Sequence, residues 1–213
     1  MRKLAICLVL AIPAATGAQA QQITIAALGD SLTQGYGLVP EEGFVPALQR
    51  YLDDAGADAL VLNAGVSGDT TAGGAARIDW TLTDEVDAVI VALGGNDVLR
   101  GLPHEQARAN LDAILTKVVA KGLPVLLVGI DAPPNFGADY EAAFEAIYPE
   151  LAAKHGALLF SNFLKGLADL GDLGLVLREH MQGDGIHPDA SGVELVVQAM
   201  GPSVLELSKR AAE

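Results

Sequence analysis

Apolar and polar positions along the chain switch repeatedly between two periods. Ile23–Gly29 is a short apolar run closed by glycine, the pattern of a buried strand. From Phe44 to Ala55 the apolar positions Val45, Leu48 and Leu52 recur at helical spacing and define one face. Ala59–Asn63 predicts a second strand and Thr70–Trp80 a modest helix. Val86–Leu93, apolar almost throughout, is the clearest strand of the chain. His104–Lys121 carries Leu111, Ile114, Leu115 and Val118 on one stripe, which predicts a helix. Leu123–Ile130 follows as a fourth strand, Asp139–Lys154 as a helix, Ala157–Phe160 as a short fifth strand and Asp189–Lys209 as a closing helix.

Strand and helix thus alternate five times, which predicts an α/β fold: a parallel sheet with helices on both faces. No internal repeat, low-complexity tract or linker divides it, so one domain is expected. Residues 162–188, with five glycines, read as the one long irregular stretch. A long ordered loop in a compact domain is more often functional than not.

Residues 1–20 break the alternation. Arg2 and Lys3 give a basic start, Leu4 to Pro13 is an apolar run too short to span a bilayer as a helix, and Ala18-Gln19-Ala20 is a small-x-small signal. Together they predict a secretory signal peptide cut after Ala20, a mature domain over 21–213, and a periplasmic or secreted product without a stable membrane anchor. An uncleaved anchor is the alternative that the short run disfavours. The single cysteine, Cys7, lies inside this segment. The mature chain therefore offers no thiol for a nucleophile, a disulfide or a thiolate metal site. Removing residues 1–20 takes away two cations and no acid, so the formal net charge falls from −14 to −16. With no Lys/Arg cluster left, a phosphate backbone is repelled, and nucleic acid is excluded as a partner.

Four short segments carry candidate chemistry. Gly29-Asp30-Ser31-Leu32 sits where the first strand ends and a turn or helix begins. Ligands of open α/β sheets bind beyond the carboxyl ends of the strands, so Ser31 is placed to be exposed, with its own N–H near a helix start. A plain helix N-cap serine is the competing reading. Asp184-Gly185-Ile186-His187-Pro188 supplies what a serine nucleophile needs: a histidine base, and a carboxylate to fix its tautomer. An incidental histidine on a surface turn is the competing reading there. Val66-Ser67-Gly68-Asp69 and Gly94-Gly95-Asn96-Asp97 follow the second and third strands. A Gly68 N–H and the Asn96 side-chain amide are donors of the kind that an acyl-transfer oxyanion requires, although glycine and asparagine also serve ordinary turns. If the sheet runs 2-1-3-4-5, Ser31, Gly68 and Asn96 emerge from three neighbouring strand ends. The fifth strand would then lie roughly 14–15 Å from the first. His187 reaches Ser31 only if residues 162–186 lead back across the top of the sheet, and that length suffices.

These blocks resemble those of the SGNH (GDSL) hydrolases, whose Ser, Gly, Asn and His are matched here by Ser31, Gly68, Asn96 and His187. The similarity is closer to the bacterial thioesterase I/lysophospholipase/arylesterase branch, through the segments Asn63-Ala64 to Gly68-Asp69-Thr70, Asn135-Phe136-Gly137, Ala146-Ile147-Tyr148-Pro149 and Gly183–Pro188. The resemblance implies a flavodoxin-like three-layer αβα sandwich with a five-stranded parallel sheet in the order 2-1-3-4-5. It implies Ser31 as nucleophile, His187 as base and Asp184 as its orienting partner. The oxyanion hole would comprise the Ser31 and Gly68 N–H groups and the Asn96 side chain. It implies no cofactor and no metal, and small acyl-ester or thioester substrates (aryl esters, acyl-CoA, lysophospholipids). Separately from the resemblance, the protein is expected to act as a monomer. Loops Asp97–Leu102 and Asp131–Gly137 would wall an acyl pocket. In the second of these, Asp131-Ala132-Pro133-Pro134 departs from the bulkier, often basic pattern of that branch.

Two other readings compete. A carbohydrate O-deacetylase of the same family would need sugar-binding aromatics, and the chain has only ten aromatic residues, one of them Trp. A non-catalytic binding module would be favoured by loss of Ser31, His187 or Asp184, and all three are present. No Gly-x-Ser-x-Gly elbow of the α/β-hydrolase type occurs. His104, His155 and His180 are read as surface or packing residues, and Asp30, Asp69 and Asp97 as turn and supporting groups.

Overall fold

A computed structural model describes residues 22–213, so the segment read as a signal peptide lies outside the described residues. In chain order the elements are β1 (Ile23–Gly29), α1 (Ser31–Gln34), α2 (Phe44–Asp54), β2 (Ala59–Gly65), α3 (Thr71–Thr81), β3 (Ala88–Ala92), α4 (Gly95–Leu99), α5 (His104–Ala120) and β4 (Val125–Val128). They continue with α6 (Ala138–Glu145), α7 (Ile147–His155), β5 (Leu158–Phe160), α8 (Lys165–Ala168), α9 (Leu173–Glu179) and α10 (Ala190–Ala211). Among the described residues the strands form one five-stranded sheet in the order β2-β1-β3-β4-β5, every pairing parallel.

Alternation along each strand sends side chains into two separate cores. Ile25 and Ala27 of β1, Ala88 and Ile90 of β3 and Leu126 of β4 face α2 and α10, where Leu48, Leu52, Val197 and Met200 close the layer. Ala26 and Leu28, Val89 and Val91, and Val125 and Leu127 face the other way, onto Ile78 of α3, Leu111 and Ile114 of α5 and Leu151 of α7. The central strands are apolar almost throughout, as strands covered on both faces are. β2, at the edge, is covered on one face only, so exposed Leu60 and Leu62 alternate with buried Ala59 and Val61.

β3 and β4 are shorter than the expected Val86–Leu93 and Leu123–Ile130, the short helix α4 was not expected, and two longer stretches differ most. The helix expected over Asp139–Lys154 is two, α6 and α7, handing over at Ala146. Pro149 has no N–H to return to Glu145, so the ladder of the first helix cannot run on. Residues 162–188, expected to be irregular, contain α8 and α9; Asp172 caps α9 by accepting from the Leu175 N–H at 3.0 Å.

Candidate active site

The site assembles at the carboxyl ends of β1, β2 and β3. β1 stops at Gly29, and Asp30 caps the single turn of α1 by accepting from the Leu32 N–H at 3.0 Å. Asp30 takes the N-cap role that was the competing reading of Ser31. Ser31 is left as the first helical residue, part-buried, with its side chain free for other contacts.

His187 arrives from the far side of the sheet on the segment after α9. Asp184 folds that segment into a tight turn: one carboxylate oxygen accepts from the Ile186 and His187 N–H groups at 2.9 and 3.0 Å. Gly185 supplies the left-handed conformation, φ 66°, that this turn demands. The other Asp184 oxygen lies 2.6 Å from His187 Nδ1, and His187 Nε2 lies 2.8 Å from Ser31 Oγ. A carboxylate only accepts, so Nδ1 carries the proton and Nε2 presents its lone pair to the Ser31 hydroxyl. The His187 bond first, and the two backbone N–H bonds second, hold the Asp184 carboxyl down at about 2, so it is ionised at neutral pH.

Three further contacts lock the histidine. The Tyr36 ring lies 4.7 Å from the His187 ring, centroid to centroid. Gln182 Nε2 donates to the carbonyls of Tyr36 at 2.8 Å and Pro188 at 2.9 Å, tying the His187 segment to the loop after α1. The Gln182 N–H donates to the His187 carbonyl at 2.8 Å.

The two glycine-rich strand ends close on the same point. Asn96, on α4, directs its amide at Asp30 Oδ2, 3.4 Å away. This bond is long and uses one of two amide hydrogens, so the other remains available. Gly68 is held by Arg100, whose Nη2 donates to the Gly68 carbonyl at 2.7 Å. Ser67 Oγ bonds Gln34 at 2.8 Å, and the Val66 N–H bonds the Gly29 carbonyl at 3.0 Å, so the second loop is stitched to both ends of the Ser31 turn. Among the described residues, neither the Ser31 nor the Gly68 N–H donates to a protein acceptor.

The neighbouring acids fall into three environments. Asp30 is buried, and burial raises its carboxyl to about 6 against the lowering effects of the Leu32 N–H, His187 and Asn96. Asp69 pairs with Arg77 at 2.6 Å, and Arg77 also donates to the Ala64 and Gly29 carbonyls, joining the ends of β1 and β2. Asp97 is buried and accepts from the Thr71 N–H and hydroxyl at 2.8 and 2.6 Å, anchoring α4 to α3. All three support the site's frame, as the sequence reading had them. His104, His155 and His180 contact Glu105, Asp112 and Ser191 respectively. Among the described residues no group of three His, Cys, Asp or Glu is placed to hold a metal ion.

The structure therefore joins Ser31, His187 and Asp184 in one hydrogen-bonded run, ties Asn96 to the Ser31 turn through Asp30, and ties the Gly68 loop to it through Ser67. Tyr36, Gln182 and Arg100 were not singled out in the sequence. Arg100 lies four residues after Asn96, on the same helical face, and that spacing was the one available signal. Tyr36 and Gln182 meet only through the fold.

The sequence pattern of the GDSL-like Lipase/Acylhydrolase family matches residues 27–195. The chain is 39% identical to the esterase TesA of Pseudomonas aeruginosa over 89% of its own length and 91% of the relative's. It is 35% identical to the thioesterase 1/protease 1/lysophospholipase L1 of Escherichia coli K12, over 86% and 84% of the two chains. The crystal structure of AlinE4, an SGNH-hydrolase family esterase, superposes with a TM-score of 0.71 at 44% identity, covering 89% of this chain and 98% of that one.

Proposed function

This chain belongs to the GDSL-like lipase/acylhydrolase family, and from that premise we propose that Ser31 attacks the acyl carbon of esters and thioesters through an acyl-enzyme. The observation that carries the reading is the unbroken run from Asp184 through His187 to Ser31, at 2.6 and 2.8 Å. As Oγ attacks, His187 Nε2 takes its proton, and the ionised Asp184 stabilises the imidazolium. The Ser31 and Gly68 N–H groups and the Asn96 amide receive the charge on the carbonyl oxygen. Collapse returns the proton to the leaving group. A water activated by the same histidine then frees the acid and Ser31.

The substrates proposed are aryl esters, acyl-CoA and lysophospholipids, the range suggested by relatives called esterase, arylesterase and thioesterase 1/lysophospholipase L1. An apolar cavity of about 300 Å³ beside the site, lined in part by Leu32, Val98, Leu99 and Ile186, favours an acyl chain over a sugar. Residues 1–20 act as an export signal, and the mature monomer works in the periplasm or outside the cell. Among the described residues no helix is long and apolar enough to cross a membrane.

The test is hydrolysis of p-nitrophenyl butyrate by wild type and by folded Ser31→Ala. Removing the nucleophile should lower kcat by about a million-fold. Equal activity in the two proteins would remove Ser31 from the mechanism.

A further inference from the structure

The cavity beside Ser31 does not end where its first walls end. Leu32, Gly95 and Ile186 line it, and each is the chain neighbour of a site residue: Ser31, Asn96 or His187. Against it lies a second, larger groove of about 610 Å³, walled by Leu167 of α8 and by Leu173, Val176 and Leu177 of α9. The two spaces share Asp131, Pro133, Asn162, Leu164, Met181 and Gly185, so they are successive parts of one channel. The first lies at the lower end of the range for small-molecule pockets, and the pair together near its upper end.

Two side chains in the shared wall are polar, and they are bonded to each other. Asn162 Oδ1 accepts from the Leu164 N–H at 2.8 Å, which fixes the amide orientation and turns Nδ2 onto Asp131 Oδ2. A carboxylate with its partner therefore stands at the junction of two apolar spaces. Beyond it, α9 presents exposed Leu173 and Leu177, four residues apart on one helical face beside buried Val176. Leu173 is 71% exposed, although the helix could have placed a polar residue there at no cost in packing.

We infer that the α9 groove is a second acyl subsite, which takes the tail of a long-chain substrate, and that the Asp131–Asn162 pair is the threshold between it and the first cavity. This rests on the reading of Ser31 as the nucleophile. A short acyl group fills the first cavity and leaves the pair hydrated. A longer one must strip water from the Asp131–Asn162 pair before its tail gains the leucines beyond, and so polar a pair resists that.

The experiment compares kcat/KM for p-nitrophenyl laurate and butyrate in wild type, Asp131→Ala and Leu173→Asp. Both positions are exposed, and an acid in the first turn suits a helix, so both variants should fold. The laurate/butyrate ratio should rise about tenfold in Asp131→Ala and fall about tenfold in Leu173→Asp. A ratio unmoved in Leu173→Asp overturns the tail subsite, and one unmoved in Asp131→Ala overturns the threshold. Wild type inert on both esters removes the Ser31 reading and this inference with it.

Discussion

Asp30 is the residue on which two parts of the site converge: it caps the Ser31 turn and receives the Asn96 amide. Its cost is visible in its acidity. The ordinary carboxyl value of 3.8 is raised to about 6, chiefly by burial, so between those values the folded protein holds a proton that the unfolded chain has released. Stability contributed by that proton is fully present below pH 3.8, declines as pH rises to about 6, and is gone above it. Asp30→Asn cannot titrate. Its stability relative to wild type should therefore climb by about 3 kcal/mol across that window and stay level beyond it. Urea denaturation of both proteins at pH 4, 5, 6 and 7.5 measures this, and a constant difference would mean that Asp30 binds no proton in the fold. Asn96 itself has a chemical role to test. Asn96→Ala should lower kcat for p-nitrophenyl butyrate by about a hundred- to a thousand-fold while KM and the thermal midpoint hardly move. A normal kcat would take the Asn96 amide out of the oxyanion hole.

At the scale of elements, the site depends on how closely α1 can settle on the sheet. A Cβ added at Gly65, the last residue of β2, would come within 2.4 Å of the Gln34 nitrogen and 2.9 Å of the Asp30 carbonyl oxygen. Both are backbone atoms, and neither can swing aside. Gly65→Ala should push the α1 turn off the strand ends, destabilise the protein by about 1–3 kcal/mol, and lower kcat by misplacing Ser31 from His187. Chemical denaturation and steady-state kinetics on the same sample check both effects; full activity with unchanged stability would show that α1 is not seated as described. The elements that the sequence made legible are those decided by local pattern. β1 spans Ile23–Gly29 as read, and α2 and α5 end within a residue of their periodicity. Ser31, Gly68, Asn96, Asp184 and His187 could be named as candidates because their blocks occur together, in the order of the SGNH pattern; each block alone reads as an ordinary turn. The break at Ala146 was missed because Pro149 sits inside a continuous apolar stripe, and α9 because Gly171 before it and Gly174 within it hid a seven-residue helix. Tyr36 against His187, Gln182 bridging two loops and Arg100 on Gly68 were beyond reach for a different reason. They join parts of the chain that only the parallel crossovers bring together, and no local period records them.

For the molecule as a whole, charge divides the proposed substrates. The chain carries a formal net charge of −14, or −16 once residues 1–20 are removed, and the site's surroundings follow the same sign. Asp184 and Asp131 are exposed near its opening, Arg77 is paired with Asp69, and Arg100 already donates to the Gly68 carbonyl. A p-nitrophenyl ester is neutral and meets no long-range force. An acyl-CoA is a polyanion and must approach against the field of the whole protein, whose reach shrinks from about 30 Å at 0.01 M salt to about 10 Å at 0.1 M. Raising NaCl from 10 to 200 mM should therefore increase kcat/KM for an acyl-CoA several-fold while leaving the p-nitrophenyl ester of the same acid level. The ratio of the two cancels any effect of salt on the fold or on the acyl channel, which both substrates share. A rise confined to the thioester places the repulsion in the encounter, and it favours uncharged esters as the substrates handled best at low ionic strength. A fall with salt would mean the opposite: a local cationic contact, with Arg100 a candidate, outweighs the net charge and draws the phosphates in.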